Sequence, residues 1–189
     1  MDLSSLLSTV ISPDSINAIS KNSGAKPSQV SDLLSKAVPL LLKGMQQNAS
    51  TEHGASSLAQ ALDQHAASNT SNIGSYLSNI DLSDGAKILG HIFGGNNSKV
   101  QSGLAQKTGL SAGQVGSILS SVAPLLLSLV GSKKQSSNTG LGGLGGLLGG
   151  LLGSQSSGGL DSLLSSALAD KDGDGKPDIL GKVGGLFGF

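Results

Sequence analysis

The residue types best suited to chemistry in this sequence lie in one short acidic segment near its end. Four aspartates, Asp170, Asp172, Asp174 and Asp178, occupy alternate or nearly alternate positions, and Gly175 follows the third of them. Counted from Asp170, they fall at positions 1, 3, 5 and 9 of a calcium loop, with glycine at position 6 where the chain turns sharply. Oxygen ligands without nearby His or Cys favour Ca²⁺ over a transition metal. We therefore predict a calcium site here.

The last positions of this loop set the expected affinity. Lys176, at position 7, would supply only its backbone carbonyl oxygen. Gly181 stands at position 12, where an EF-hand loop carries a bidentate glutamate, so residues 170–178 resemble the shorter loops of thrombospondin type-3 repeats instead. The missing ligand predicts a weak site, with a dissociation constant of about 10⁻⁴ M. The alternative interpretation is a solvated acidic turn, because Asp and Gly are common loop residues.

The charge of the chain argues against nucleic acid as the main partner. Twelve basic residues balance twelve acidic ones, and every basic residue is a lysine. Arginine is the side chain that recognises phosphate and guanine with a planar, bidentate fork, and none is available. Zero net charge also provides no broad basic surface. We expect no nucleic-acid partner, although a nucleic-acid-binding helical module is kept as an alternative.

The sequence offers little for catalysis. Cysteine is absent, and the three histidines, His53, His65 and His91, lack the spacing of a zinc site. His91 lies in an apolar helical run, where we expect a hydrogen-bonded packing residue. No nucleophile elbow, phosphate-binding loop or dinucleotide-binding glycine pattern is present. We predict that the protein is not an enzyme.

The N-terminus suggests where the protein resides. Its first residues, Met-Asp-Leu-Ser-Ser, lack the basic region and apolar run of a signal peptide. No stretch reaches the roughly 18 consecutive apolar residues of a membrane span. We expect a cytoplasmic protein without a membrane span, and export by a route that needs no signal peptide stays open.

Residues 1–132 predict an all-α domain built from a duplicated unit. Segments 24–42 and 109–127 match without a gap, and the spacing predicts two helix–turn–helix units that pair with pseudo-two-fold symmetry. Each second helix contains a proline and should kink there. Ser111 and Gln114 predict a capping box at the start of the second copy. The residues common to both copies include Gln29 and Gln114, Val30 and Val115, Leu34 and Leu119, Ser35 and Ser120, and Pro39 and Pro124.

Residues 133–158 predict a polar linker followed by a tract, 140–153, of glycine and leucine alone. As a helix, this tract would place a leucine ridge beside a glycine groove that another backbone can approach closely. We therefore predict self-association into a homo-oligomer or filament through it. The predicted assembly residues are Leu141, Gly142, Leu144, Gly146, Leu148, Gly150 and Leu151.

Two other interpretations of the tract remain. It could be a flexible linker, although linkers are usually rich in Gly and Ser rather than Leu. It could also associate with a membrane, but a helix of this length reaches about 21 Å against a hydrocarbon core of roughly 30 Å. Residues 159–189 then predict a tail in which two short helices flank the calcium loop.

Taken in order, these features resemble a known family. The duplicated helices, the run Asp84-Gly-Ala-Lys-Ile-Leu-Gly-His-Ile-Phe93, the Gly/Leu tract and the terminal acidic loop resemble the YidB-like family of bacterial proteins, a domain family of unknown function. The resemblance implies an all-α fold in a bacterial protein. It implies no activity, so no catalytic residue is carried over. The leading hypothesis is a structural or interaction protein that assembles with itself.

Overall fold

The architecture is helical throughout the part of the chain that can be described. A computed structural model describes residues 3–152. The chain divides into two compact units, 1–155 and 156–189, and every described residue belongs to the first. Between residues 3 and 152 there are α-helices and two short 3₁₀ turns, and no strand. The predicted all-α fold is confirmed.

Nine α-helices follow one another over residues 3–152. In chain order they are α1 (Leu3–Val10), α2 (Pro13–Ser23), α3 (Pro27–Asn48), α4 (Glu52–Ala66), α5 (Ile73–Ser78), α6 (Leu82–Phe93), α7 (Asn97–Thr108), α8 (Ala112–Ser136) and α9 (Leu144–Leu152). The compact unit extends past the predicted boundary at residue 132, because α8 continues to Ser136 and α9 lies in the same unit. The first part of the predicted linker segment, 133–158, therefore belongs to the helical domain.

The ends of the helices follow from local sequence. The Ser12 hydroxyl accepts a hydrogen bond from the Ser15 N–H, and Pro13 fills the first helical position, where a missing N–H has no cost. Gly24 ends α2 in the left-handed region at φ 66°. Gly109 ends α7 at φ 65°, so the two helix–turn–helix units stop their first helices in the same way.

The second helix of each unit has a glutamine at its third position, Gln29 in α3 and Gln114 in α8. In α8 the predicted capping box is present: the Gln114 N–H donates to the Ser111 hydroxyl at 3.2 Å, and the Ser111 N–H donates to Gln114 Oε1 at 3.1 Å. In α3 the capping position holds Lys26, whose side chain cannot accept such a bond. The Lys26 N–H still donates to Gln29 Oε1 at 3.4 Å, so half of the box is kept.

These two glutamines also join the units to each other. Gln29 Nε2 donates to the Gly109 carbonyl oxygen at 3.4 Å, and Gln114 Nε2 donates to the Gly24 carbonyl oxygen at 3.3 Å. Glutamines 29 and 114 are 85 residues apart, and so are glycines 24 and 109. Each unit therefore satisfies a helix-terminal carbonyl of the other, which would otherwise lack a donor.

In the packing of the helices, too, each unit contacts the other in the same way. Helix α2 contacts both α3 and α8, and α7 contacts both α8 and α3. Outside this centre, α4 packs on α8 and α9 packs on α3. Helix α5 has no equivalent helix in the other half. It packs on α2, where Asn22 Nδ2 donates to the Leu77 carbonyl oxygen at 2.9 Å.

Helix α8 lies at the middle of the core. All its residues from Ile118 to Gly131 are buried, and it packs most extensively on α4 and α6. Within residues 3–152 it is the one helix long and apolar enough to cross a membrane, and 83% of its most apolar window is buried inside the protein. Its apolar character is thus that of a central core helix.

Pro124 and Gly85 together explain how α6 approaches α8. Helix α8 continues through Pro124, which has no N–H to donate to the Ser120 carbonyl one turn earlier. The backbone of Gly85 lies against that freed carbonyl, so closely that a Cβ at position 85 would overlap the Ser120 oxygen. Glycine is required at position 85 because α6 covers a carbonyl that α8 cannot bond internally.

This contact predicts the effect of a single methyl group. Gly85→Ala should lower the free energy of unfolding by about 1–3 kcal/mol, because the added Cβ forces α6 away from α8. Gly90→Ala is the matched control in the same helix, where a Cβ would meet no atom within 4 Å. It should raise the free energy of unfolding by about 0.5–1 kcal/mol through helix propensity alone. Urea denaturation measures both, and equal effects of the two substitutions would contradict the proposed close approach.

Candidate assembly surface

The Gly/Leu tract forms α9 and the 3₁₀ turn before it, and most of its leucines pack against other helices of the same chain. Leu144, Leu148 and Leu151 are buried in the main hydrophobic core, and α9 packs on α3. Leu141, the fourth member of the predicted leucine ridge, lies in the preceding 3₁₀ turn with 54% of its surface exposed. The surface that covers most of the ridge is therefore the chain's own α3.

The glycine side of the tract faces the opposite way. Gly142, Gly146 and Gly150 are exposed, and a Cβ at any of them would meet no atom within 4 Å. Next to this side, Gly146 and Leu147 line a shallow cavity of about 410 Å³ that Lys133 at the end of α8 also borders. The glycine side of the tract is therefore open to solvent, and its predicted role in assembly stays a prediction.

The contact of Gly149 with α3 can be compared with the equivalent position in the other half of the domain. A Cβ on Gly149 of α9 would lie 3.1 Å from Gln46 Nε2 of α3. The residue of α8 equivalent to Gln46 is Gly131, and there the Leu62 carbonyl of α4 comes so close that no Cβ would fit. In the pair of α3 and α9, the glycine lies on the outer helix, α9. In the pair of α8 and α4, it lies on the central helix, α8.

The composition of α9 sets how firmly it is held. Leu144, Leu148 and Leu151 are buried and favour the docked position on α3. The four glycines within α9 oppose the helix by about 3–4 kcal/mol relative to alanine. Helix α9 should therefore open locally more easily than a helix of the same length without glycine.

The predicted calcium ligands lie outside the described residues. Asp170, Asp172, Asp174, Lys176 and Asp178 all belong to the second unit. Over residues 3–152, no group of three or more His, Asp or Glu side chains is arranged to hold a metal ion. The calcium site therefore stays a prediction from the sequence.

All three histidines of the chain lie along one groove, a feature that the sequence does not reveal. The groove, about 450 Å³, lies beside α4 and α6, and its lining includes His53, His65, His91 and the apolar side chains Ile88 and Leu127. His91 is exposed in this groove, so its expected role as a packing residue is wrong. It follows Ile88 by three residues in α6, but it points away from the core that Ile88 helps to fill.

Two polar contacts lie among the residues that line this groove. His65 Nε2 at the end of α4 lies 3.4 Å from Asp84 Oδ2 at the start of α6. Asn48 Nδ2 of α3 donates to the Ile92 carbonyl oxygen of α6 at 3.0 Å. Each contact joins α6 to another helix and helps to position it.

Comparison with known proteins places the chain in a family. Residues 5–135 match a family described as bacterial proteins of unknown function, DUF937. The chain belongs to this family. The finding agrees with the resemblance to YidB-like proteins, and the matched residues hold both helix–turn–helix units. No curated protein and no solved structure gives a significant match.

The family match ends before the features that suggest assembly. It stops at residue 135, close to the end of α8, whereas α9 begins at Leu144 and the acidic loop at Asp170. The duplicated helices are therefore what this DUF937 protein shares with its family. Helix α9 and the acidic loop lie beyond the matched residues.

Proposed function

We propose that this DUF937 protein is a non-enzymatic structural protein whose copies associate through the Gly/Leu segment. The observation that carries the proposal is the two-sided character of α9. Its leucines hold it to α3, while Gly142, Gly146 and Gly150 leave a side on which another backbone has room to approach. Exposed Leu141 adds apolar surface at the same end.

Charge supports association between identical copies. The chain has a formal net charge of zero, so two copies repel each other little. The open glycine surface is self-complementary, because the same close approach is available to both partners. A second copy of this chain is thus the partner that the surface fits best.

We also propose that calcium binding at the acidic loop regulates the association of copies. Calcium at Asp170, Asp172, Asp174, the Lys176 carbonyl and Asp178 would fix the loop in the C-terminal segment that follows α9. A site of about 10⁻⁴ M would fill only where calcium is abundant. Calcium would then adjust association without being required for the helical fold.

The test of self-association uses a charge on the glycine side. Gly146→Glu adds a carboxylate where a Cβ meets no atom within 4 Å, so it leaves the packing of the monomer intact. We expect the wild type to sediment as an oligomer at micromolar concentration and Gly146→Glu as a monomer, because burying the carboxylate between copies is costly.

The control is the same substitution at a site away from α9. Gly90 of α6 is also exposed, and a Cβ added there would likewise meet no atom within 4 Å. Gly90→Glu should sediment like the wild type. A wild type that stays monomeric, or an oligomer that Gly146→Glu leaves unchanged, contradicts the proposed role of the glycine side.

Calcium binding is tested by calorimetry on the full chain. Titration of the wild type with calcium should give a heat signal that fits a single weak site. Asp172→Ala combined with Asp174→Ala should abolish this signal, since two of the oxygen ligands are lost. Asp161→Ala removes a nearby carboxylate outside the loop pattern and should leave binding unchanged. Equal binding by the wild type and the double variant would rule the site out.

A further inference from the structure

We propose that copies of this chain associate by exchanging α9, so that α9 of one copy occupies the α3 surface of another. The inference rests on the self-association proposed above and specifies how it is achieved. Between residues 3 and 152, α3 is the helix on which α9 mainly packs. Every copy carries the same α3 surface, so Leu144, Leu148 and Leu151 can be buried as well in a neighbouring copy as in their own.

The segment between α8 and α9 has the features of a hinge. The Asn138 N–H donates to the Gln135 carbonyl and the Thr139 N–H donates to the Lys134 carbonyl, both at 3.0 Å, which turns the chain at the end of α8. Asn138 adopts φ 48°, and no other non-glycine residue from 3 to 152 has a positive φ. Asparagine tolerates this region better than most residues but still prefers an extended conformation. Opening the turn relieves that conformation and lengthens the connection to α9.

The glycine side of α9 gives the exchange a first step. Two copies meet through the open surface at Gly142, Gly146 and Gly150, which places the two α9 helices side by side, each still on its own α3. Because glycine weakens the helix, α9 can leave its own α3 by local opening. Reciprocal exchange closes a dimer, and exchange passed from copy to copy extends a filament.

A cross-link tests the exchange in the full chain. The protein contains no cysteine, so Gln46→Cys and Gly149→Cys introduce the only two thiols, at positions of α3 and α9 that lie next to each other. Joining them with an oxidant or a short bismaleimide within one freshly diluted chain holds α9 on its own α3. We expect the joined chain to lose its oligomers in sedimentation, and the unjoined double variant to keep them.

The same thiols also report exchange directly when they are placed on separate chains. Chains with Gln46→Cys alone are mixed with chains with Gly149→Cys alone before assembly, and cross-linking should give many-fold more chain pairs than the mixture of Gln46→Cys and Gly90→Cys. Gly90 is a suitable control because it is exposed in α6, outside the proposed contact surface, and a Cβ added there would have no neighbour within 4 Å.

The outcomes separate the exchange from self-association itself. Joined chains that assemble as fully as the wild type would overturn the exchange while leaving contact through the glycine side intact. Equal cross-linking in the two mixtures would overturn it as well. A wild type that never assembles would instead remove the self-association on which the exchange depends.

Discussion

The fold depends on the reciprocal docking of two helix–turn–helix units. In each unit a left-handed glycine ends the first helix, and a glutamine in the first turn of the second helix donates to the other unit's glycine carbonyl. These crossed bonds satisfy carbonyl groups at helix ends that would otherwise be left without donors. They also fix the relative positions of α3 and α8, on which the outer helices α9 and α4 then pack. A change at this centre would therefore be transmitted to both outer helices.

The two halves have diverged around this shared centre. On α8, a proline frees the Ser120 carbonyl and Gly85 allows α6 to cover it, while Gly131 lets α4 approach closely. On α3, Gln46 takes the place of that glycine, and the outer helix α9 supplies the glycines instead. The outer helix of the half that carries α4 has a single glycine, Gly54, in its first turn. The half that carries α9 keeps an exposed glycine side, and this asymmetry is the basis of the proposed function.

Much of the fold can be predicted from the sequence because its signals are local. Gly24 and Gly109 end helices, Ser111 and Gln114 form a capping box, and apolar residues recur at helical spacing. The position of α9 is harder to predict, because a sequence of glycine and leucine has a weak helical preference and only the surface of α3 makes the helix favourable. The histidine groove also escapes prediction, since α4 and α6, which carry His53, His65 and His91, are brought together only because both pack on α8. A repeated glutamine in both copies was the signal that could have indicated the crossed bonds.

The proposed exchange requires that α9 separates from α3 while the core stays folded, so that copies can associate. Hydrogen exchange of the full chain across a range of concentrations measures this separation. In dilute solution the amides of α9 should exchange much faster than those of the buried helix α8, because α9 opens locally while the core stays closed. As the concentration rises, protection should increase in α9 and stay constant in α8. If the amides of α9 were as well protected from exchange as those of α8 at every concentration, α9 would not open separately from the core, and the proposed exchange would be wrong.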